Sequence, residues 1–470
     1  MMGAGAAAIR RVATAAALGM ASSAMATPSI VVDAASGQIL EQDQATTVWY
    51  PASVTKLMTV YVALDAVRHN RITLDTPMVV SARATHMAPS KMGFRVGQEV
   101  TLRNALVMLM VKSANDIAVT IAEGVAGSVE AFAGEMNQAS ATIGMRESYW
   151  VNPNGLPDDR QVTSARDLAL LARALLTEFP DSANLYNIGA MQIGRKLVPT
   201  HNGLLGRYPG ADGMKTGFTC PAGYNLVASA THGGQKLIAV VLGAPTPGAR
   251  TAKTAALLDR AFQNPAQQGA AASLPSPGVG AAPDMREQVC HNRAKAQEEF
   301  MAEVEDLSIP ISQDASGQLQ SVSSKQIANL PRPQFTPVPV YAGRAPGYVG
   351  PIARPRAPGV AIGADTPVAA YTEAPPAVEA SPALAAAAHA KPTRWAGKAA
   401  KAKPEARHAA AKAAKPAAKA AAGKSKVKVA ALDAGKKAHK QPVAKGKAAP
   451  KHAEKPKAKG HAKSAAAAEQ

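Results

Sequence analysis

Apolar residues first fall into order at residues 29–33 and 38–41, two short runs separated by Ala34-Ala35-Ser36-Gly37. This pattern predicts two strands joined by a tight turn. From Ala52 the period changes: Leu57, Val60, Tyr61 and Leu64 recur at helical spacing behind Pro51, so a helix is predicted there with Ser53 in its first turn. Two more apolar helices are predicted at 102–110 and 116–122, the first with Thr101 as N-cap, and the polar junction Lys112-Ser113-Ala114-Asn115 lies between them. Another helix is predicted at 165–176, capped by Thr163 or Ser164 and stopped by Phe179-Pro180-Asp181. Strands return at 213–219, 225–231 and 236–242, the last two joined tightly through His232-Gly233-Gly234-Gln235, and a helix closes the series at 251–262. Strand and helix groups segregated in this way predict an α+β unit over residues 27–262, a largely antiparallel sheet flanked by helices with a helical subdomain from the middle third.

Beyond residue 262 the periodicity fades. Residues 263–390 read as an Ala-, Pro- and Gly-rich linker interrupted by a possible isolated amphipathic helix at 285–304, and residues 391–470 as a long disordered extension rich in Lys, Ala and Pro. That extension holds 22 Lys and Arg against 4 Asp and Glu, a net of +18, while the whole chain carries +19. The basic charge therefore belongs to the tail and not to a folded face, which makes nucleic acid an unlikely partner and an anionic envelope surface a possible one. At the other end, Arg10 and Arg11, the small and apolar run 12–21 and Ala24-Met25-Ala26 fit a signal peptide over 1–26, so the mature chain is expected to start near Thr27 and to be exported, periplasmic or envelope-associated. In an exported chain the only two cysteines, Cys220 and Cys290, are candidates to pair. The histidines lack metal-ligand spacing, and no metal or other cofactor is expected.

Three short motifs carry chemistry. Ser53-Val54-Thr55-Lys56 puts a hydroxyl and an amine on one helical face, and a buried lysine beside another cation can lose its proton and act as a base. Lys215 is a candidate for that cation. Ser113-Ala114-Asn115 offers a second hydroxyl and a carboxamide; Lys215-Thr216-Gly217, on a strand bordering a cleft, offers a fixed charge, a hydroxyl and room for a close backbone approach. Each motif alone is weak, since Ser425-Lys426-Val427-Lys428 matches the first and Ser182-Ala183-Asn184 the second. Their order on helix, interhelical junction and strand is the stronger signal.

In that order, and in the surrounding stretches YPASVTKLMT, APSKMGFRVGQEVTLRNALVMLMVKSANDIAV, NPNGLPDDRQVTSARDLALLARAL and LLGRYPGADGMKTGFT, the chain resembles the low-molecular-mass serine D-alanyl-D-alanine carboxypeptidases, the small penicillin-binding proteins. The resemblance implies a β-lactamase/transpeptidase-like fold. It implies Ser53 as acylated nucleophile, Lys56 as its proton acceptor, Ser113 as proton relay and Asn115 as ligand of a substrate amide. Lys215 and Thr216 would bind the terminal carboxylate, Gly217 would let the substrate backbone approach, and the backbone N–H groups of Ser53 and Phe218 would form the oxyanion hole. Implied partners are peptidoglycan stem peptides ending in D-Ala-D-Ala and, as covalent inhibitors, β-lactams. The β-rich second domain and amphipathic anchoring helix common in the family are not recognisable downstream. A β-lactamase would need a deacylating glutamate, for which Glu147 is the one candidate, and Ala114 stands where that class has Asp.

Overall fold

The computed structural model describes residues 27–307 and 324–356. The expected signal peptide, the tail from residue 391 and the second Ser-x-x-Lys match at Ser425 lie outside the described residues. In chain order the elements are β1 (Ser29–Asp33), β2 (Ile39–Asp43), a 3-10 turn (Ala52–Thr55), α1 (Lys56–Arg68), β3 (Pro77–Val79), α2 (Ala82–Thr85), β4 (Glu99–Thr101), α3 (Leu102–Val111), α4 (Asn115–Ala126), α5 (Val129–Ile143) and α6 (Ala165–Glu178). They continue with β5 (Ala190–Ile193), β6 (Lys196–Pro199), β7 (Ala211–Thr219), β8 (Gly223–His232), β9 (Gln235–Ala244), α7 (Pro247–Gln263), α8 (Arg293–Leu307), α9 (Ser324–Ile327) and β10 (Val338–Val340).

The main sheet is antiparallel throughout, in the order β2-β1-β9-β8-β7. Its period-2 alternation sorts two cores: Ile30, Val32, Ile238 and Val240 join the core of α1, α3, α4 and α6, while Val31, Leu237, Ala239 and Val241 pack with α7. The β8–β9 hairpin turns on Gly233 and Gly234, with φ of 55° and 84°, the pair of positive values a two-residue hairpin loop requires. Ser164 is the cap of α6, its Oγ accepting from Asp167 N at 3.0 Å, and Thr101 caps α3.

Two features differ from the sequence pattern. Ser53 stands on a 3-10 turn, and the α-helix begins only at Lys56. Packing also continues well past Phe262. Met285, Val289, Phe300, Val304, Ile327 and Val340 are buried, and Cys220 is bonded to Cys290, pinning the chain after β7 to the turn Glu287–His291. The helix expected at 285–304 is thus broken at Asn292 and lies against the fold, with buried Lys253 donating to Glu303 Oε1 at 2.5 Å and to Thr27 Oγ1 at 2.8 Å. Met285/Val289 and Phe300/Val304 keep helical spacing, whereas Ile327 and Val340 stand in no periodic run. Among the described residues no single helix is long and apolar enough to cross a membrane.

Candidate active site

The turn that carries Ser53 is wedged between two glycines. A Cβ on Gly217 would lie 2.9 Å from Pro51 O and 3.0 Å from Ser53 N, so only glycine lets the edge strand β7 run this close to the turn. The room expected at Gly217 for a substrate backbone is therefore filled in part by the turn itself. On the other side Gly155, at φ +80°, would place a Cβ 1.8 Å from Ala52 O. Asn225 Nδ2 donates to Tyr50 O and Pro51 O at 2.9 and 3.0 Å. These contacts hold Ala52 at φ +48°, a conformation that non-glycine residues adopt only where their surroundings over-determine it. Ser113, between α3 and α4, also has a positive φ, +59°.

Lys56 is fully buried; its Nζ lies 3.0 Å from Ser53 Oγ and donates to Asn115 Oδ1 at 2.8 Å and Asn154 O at 2.5 Å. Burial pushes its pKa well below the usual lysine value, the charge of Lys215 pushes further in the same direction, and Asp116 opposes them. The three oxygens can also serve the uncharged amine. A neutral amine has two N–H donors and one lone pair; the oxygens of Asn115 and Asn154 can only accept, so they take the two hydrogens and leave the lone pair for the Ser53 hydroxyl. Asn115 is itself fixed, its Nδ2 donating to Ala88 O at 2.9 Å and its N to Ser90 O at 2.7 Å.

Across the cleft, buried Lys215 Nζ donates to Ser113 Oγ at 3.0 Å and to Thr216 O at 2.9 Å. Burial and the neighbouring Arg250 bring Lys215 down to about 7. Arg250, also buried, is lowered to about 10 by desolvation; its guanidinium donates to Asn225 O and His201 O, and its Nε has no hydrogen-bond partner. Among the described residues no carboxylate forms an ion pair with Lys56, Lys215 or Arg250. Ser53, Ser113, Asn115, Thr216, Gly217 and Phe218 all line one cavity of about 450 Å³, with His201 and Arg250 in its wall. The Phe218 ring stacks on Tyr224 with centroids 4.1 Å apart at the rim.

All three motifs thus meet at one place, while the second Ser-x-Asn match and Glu147 lie elsewhere. Ser182-Ala183-Asn184 lies in a 3-10 helix, Pro180–Leu185, outside this cavity. Glu147 is not in the cavity wall either; it is fully buried against Arg166 and accepts from Ser164 Oγ at 2.9 Å and from Ser276. Sequence reasoning passed over Asn154, Gly155, His201 and Arg250. Asn154-Gly155 carries a turn signature, but a backbone carbonyl has no residue signature, and His201 and Arg250 reach the cleft only through tertiary folding. Among the described residues, no group of three or more His, Cys, Asp or Glu gathers to hold a metal.

Residues 13–246 match the family model described as D-alanyl-D-alanine carboxypeptidase. The carboxypeptidase DacF of Bacillus subtilis is 34% identical over 239 residues, which are 50% of this chain and 61% of DacF, so the similarity spans less than two thirds of that relative. DacB2 of Mycobacterium tuberculosis is 32% identical over 218 residues, 45% of this chain and 73% of its own. A solved structure, penicillin binding protein 6B from Escherichia coli, is similar at 33% identity and a TM-score of 0.48, over 50% of this chain and 76% of that one. With the motif order, the meeting of the motifs in one cleft and a relative matched over nearly three quarters of its length, the chain belongs to the D-alanyl-D-alanine carboxypeptidase family.

Proposed function

We propose that this protein removes the terminal D-Ala from peptidoglycan stem peptides ending in D-Ala-D-Ala, through an acyl ester on Ser53, and that β-lactams trap the same ester. The observation that carries the reading is Lys56 Nζ, fully buried, 3.0 Å from Ser53 Oγ, with its remaining partners arranged to accept its hydrogens. Lys56 takes the Ser53 proton as Oγ attacks the carbonyl carbon of the penultimate residue. The backbone N–H groups of Ser53 and Phe218 hold the developing oxyanion; one such donor contributes about 3–4 kcal/mol in comparable acyl-transfer sites. The proton taken by Lys56 passes to the departing amine through Ser113, which is hydrogen-bonded to Lys215, so Lys56 is uncharged again. Asn115, whose side chain spans Lys56 and Ala88, borders the substrate amide. Lys215, Thr216 and Arg250 face the carboxylate of the leaving D-Ala. Free D-Ala departs, and Lys56 then activates the water that hydrolyses the ester.

Localisation follows from the N-terminal export pattern and the basic tail. The chain is exported, and the tail from residue 391 attaches it to an anionic envelope surface by polyelectrolyte contacts that weaken with salt. The test is release of D-Ala from a soluble pentapeptide ending in D-Ala-D-Ala. Wild type releases it, Ser53→Ala does not, and a chain truncated after Pro382 matches wild type while losing salt-sensitive retention on anionic vesicles. No release by folded wild type refutes the assignment; loss of release on truncation refutes the separation of tail from chemistry.

A further inference from the structure

One wall of the Ser53 cavity comes from far outside the matched residues 13–246: Arg332, in the segment 330–340. Its seat is specific. A Cβ on Gly206 would lie 2.4 Å from Pro333 Cγ, and one on Gly189 would lie 2.1 Å from Phe335 Cγ, so both rings rest where only glycine leaves space. β10 pairs in parallel with β5, Val338 with Met191 and Val340 with Ile193, and Val340 is buried. Arg207 Nε donates to Pro331 O at 3.4 Å. The segment is a strap that runs from the Ser53 cavity, where exposed Arg332 is in the lining, to its pairing with β5.

Arg332 shares the cavity with other cations. It lines the same wall set as Lys112, His201 and Arg250, and the pKa of His201 is lowered first by burial and then by Lys215, Lys112, Arg250 and Arg332. Arg250 donates to His201 O there, and Thr216 lines the same cavity, with buried Lys215 next to it in β7. Arg332 has no ion pair with any carboxylate among the described residues. A solvated rim cation would need neither the two glycine seats nor the β10–β5 pairing to hold it there. Lysines and arginines of one sign brought together are mutually unfavourable until an anion arrives, and a guanidinium matches a carboxylate with two parallel N–H donors.

We propose that Arg332 is a specificity residue which binds the free carboxylate of the leaving residue, so that the strap favours peptides ending in a carboxylate over those that are amidated or extended. The proposal rests on the carboxypeptidase reading above. An exposed charge pair is a modest interaction, and the expected effect is roughly three- to tenfold. Arg332→Gln and Arg332→Lys are made in the full chain and assayed on a pentapeptide ending in D-Ala-D-Ala as free acid and as C-terminal amide. Arg332→Gln raises KM for the acid by about three- to tenfold with kcat nearly unchanged and leaves the amide unaffected, while Arg332→Lys recovers part of the loss. In parallel, the free acid is titrated calorimetrically into Ser53→Ala with and without Arg332→Gln, and Kd shifts by the same factor. Equal KM and Kd with and without Arg332 overturn the proposal even if D-Ala is released. Arg332-dependent binding of the acid by a protein that releases no D-Ala sinks the carboxypeptidase reading and leaves the carboxylate site standing.

Discussion

The molecule buries charge in two places and manages it in opposite ways. Around α6, Glu147, Arg166 and Asp167 are almost wholly inaccessible, yet their polar atoms are widely answered. Arg166 Nη1 donates to Asp167 Oδ1 at 2.6 Å and to Glu147 Oε2 at 3.3 Å, and its remaining nitrogens donate to Ala271 O and Ala272 O. Asp167 Oδ2 accepts from Glu147 N and Ser148 Oγ, both at 2.8 Å. Burial first and the charge of Glu147 second raise the Asp167 pKa, so the cluster approaches neutrality within itself. In the cleft, Lys56, Lys215 and Arg250 are equally buried, but their partners are neutral oxygens, and each is pushed toward its uncharged form. A balanced cluster holds structure together. An unbalanced one is poised to exchange protons and to receive an anion, which is where perturbed lysines signal function.

Breaking each cluster should therefore read out differently. Lys56→Met removes the proton acceptor while filling much of its volume. Acylation of Ser53 should slow by about 10²–10⁴-fold, the usual contribution of a positioned base, while the melting temperature holds or rises because a desolvated amine is gone. Stopped-flow acylation and a thermal melt check both halves; a large fall in stability would mean that Lys56 is primarily structural. Arg166→Met leaves two buried carboxylates without their cation and should cost about 3–5 kcal/mol in urea unfolding, with D-Ala release per folded molecule unchanged. Loss of turnover at full stability would instead join the α6 cluster to the chemistry.

How much of this was readable beforehand divides along the same line. Ser53/Lys56, Ser113/Asn115 and Lys215/Thr216/Gly217 are compact motifs whose order survives in the chain, and the Gly233-Gly234 hairpin and the Thr101 and Ser164 caps are local signals of equal clarity. What completes the cleft is non-local. The Asn154 carbonyl that orients Lys56 is backbone, Arg250 arrives from α7, and Arg332 arrives on a strap whose Pro-rich composition resembles a linker. The 3-10 turn under Ser53 arises because Gly155, Gly217 and Asn225 crowd the chain before α1, a constraint that helical periodicity downstream of Pro51 does not carry.

The central claim is that the buried Lys56 makes Ser53, and no other residue, the acylated nucleophile. Intact-mass spectrometry of the full chain after incubation with benzylpenicillin tests it most directly, with peptide mapping to locate the adduct. The account predicts one penicilloyl adduct per molecule, on the peptide containing Ser53, and none on folded Ser53→Ala. An adduct that persists in Ser53→Ala, or a well-folded wild type that gains no mass, would contradict it.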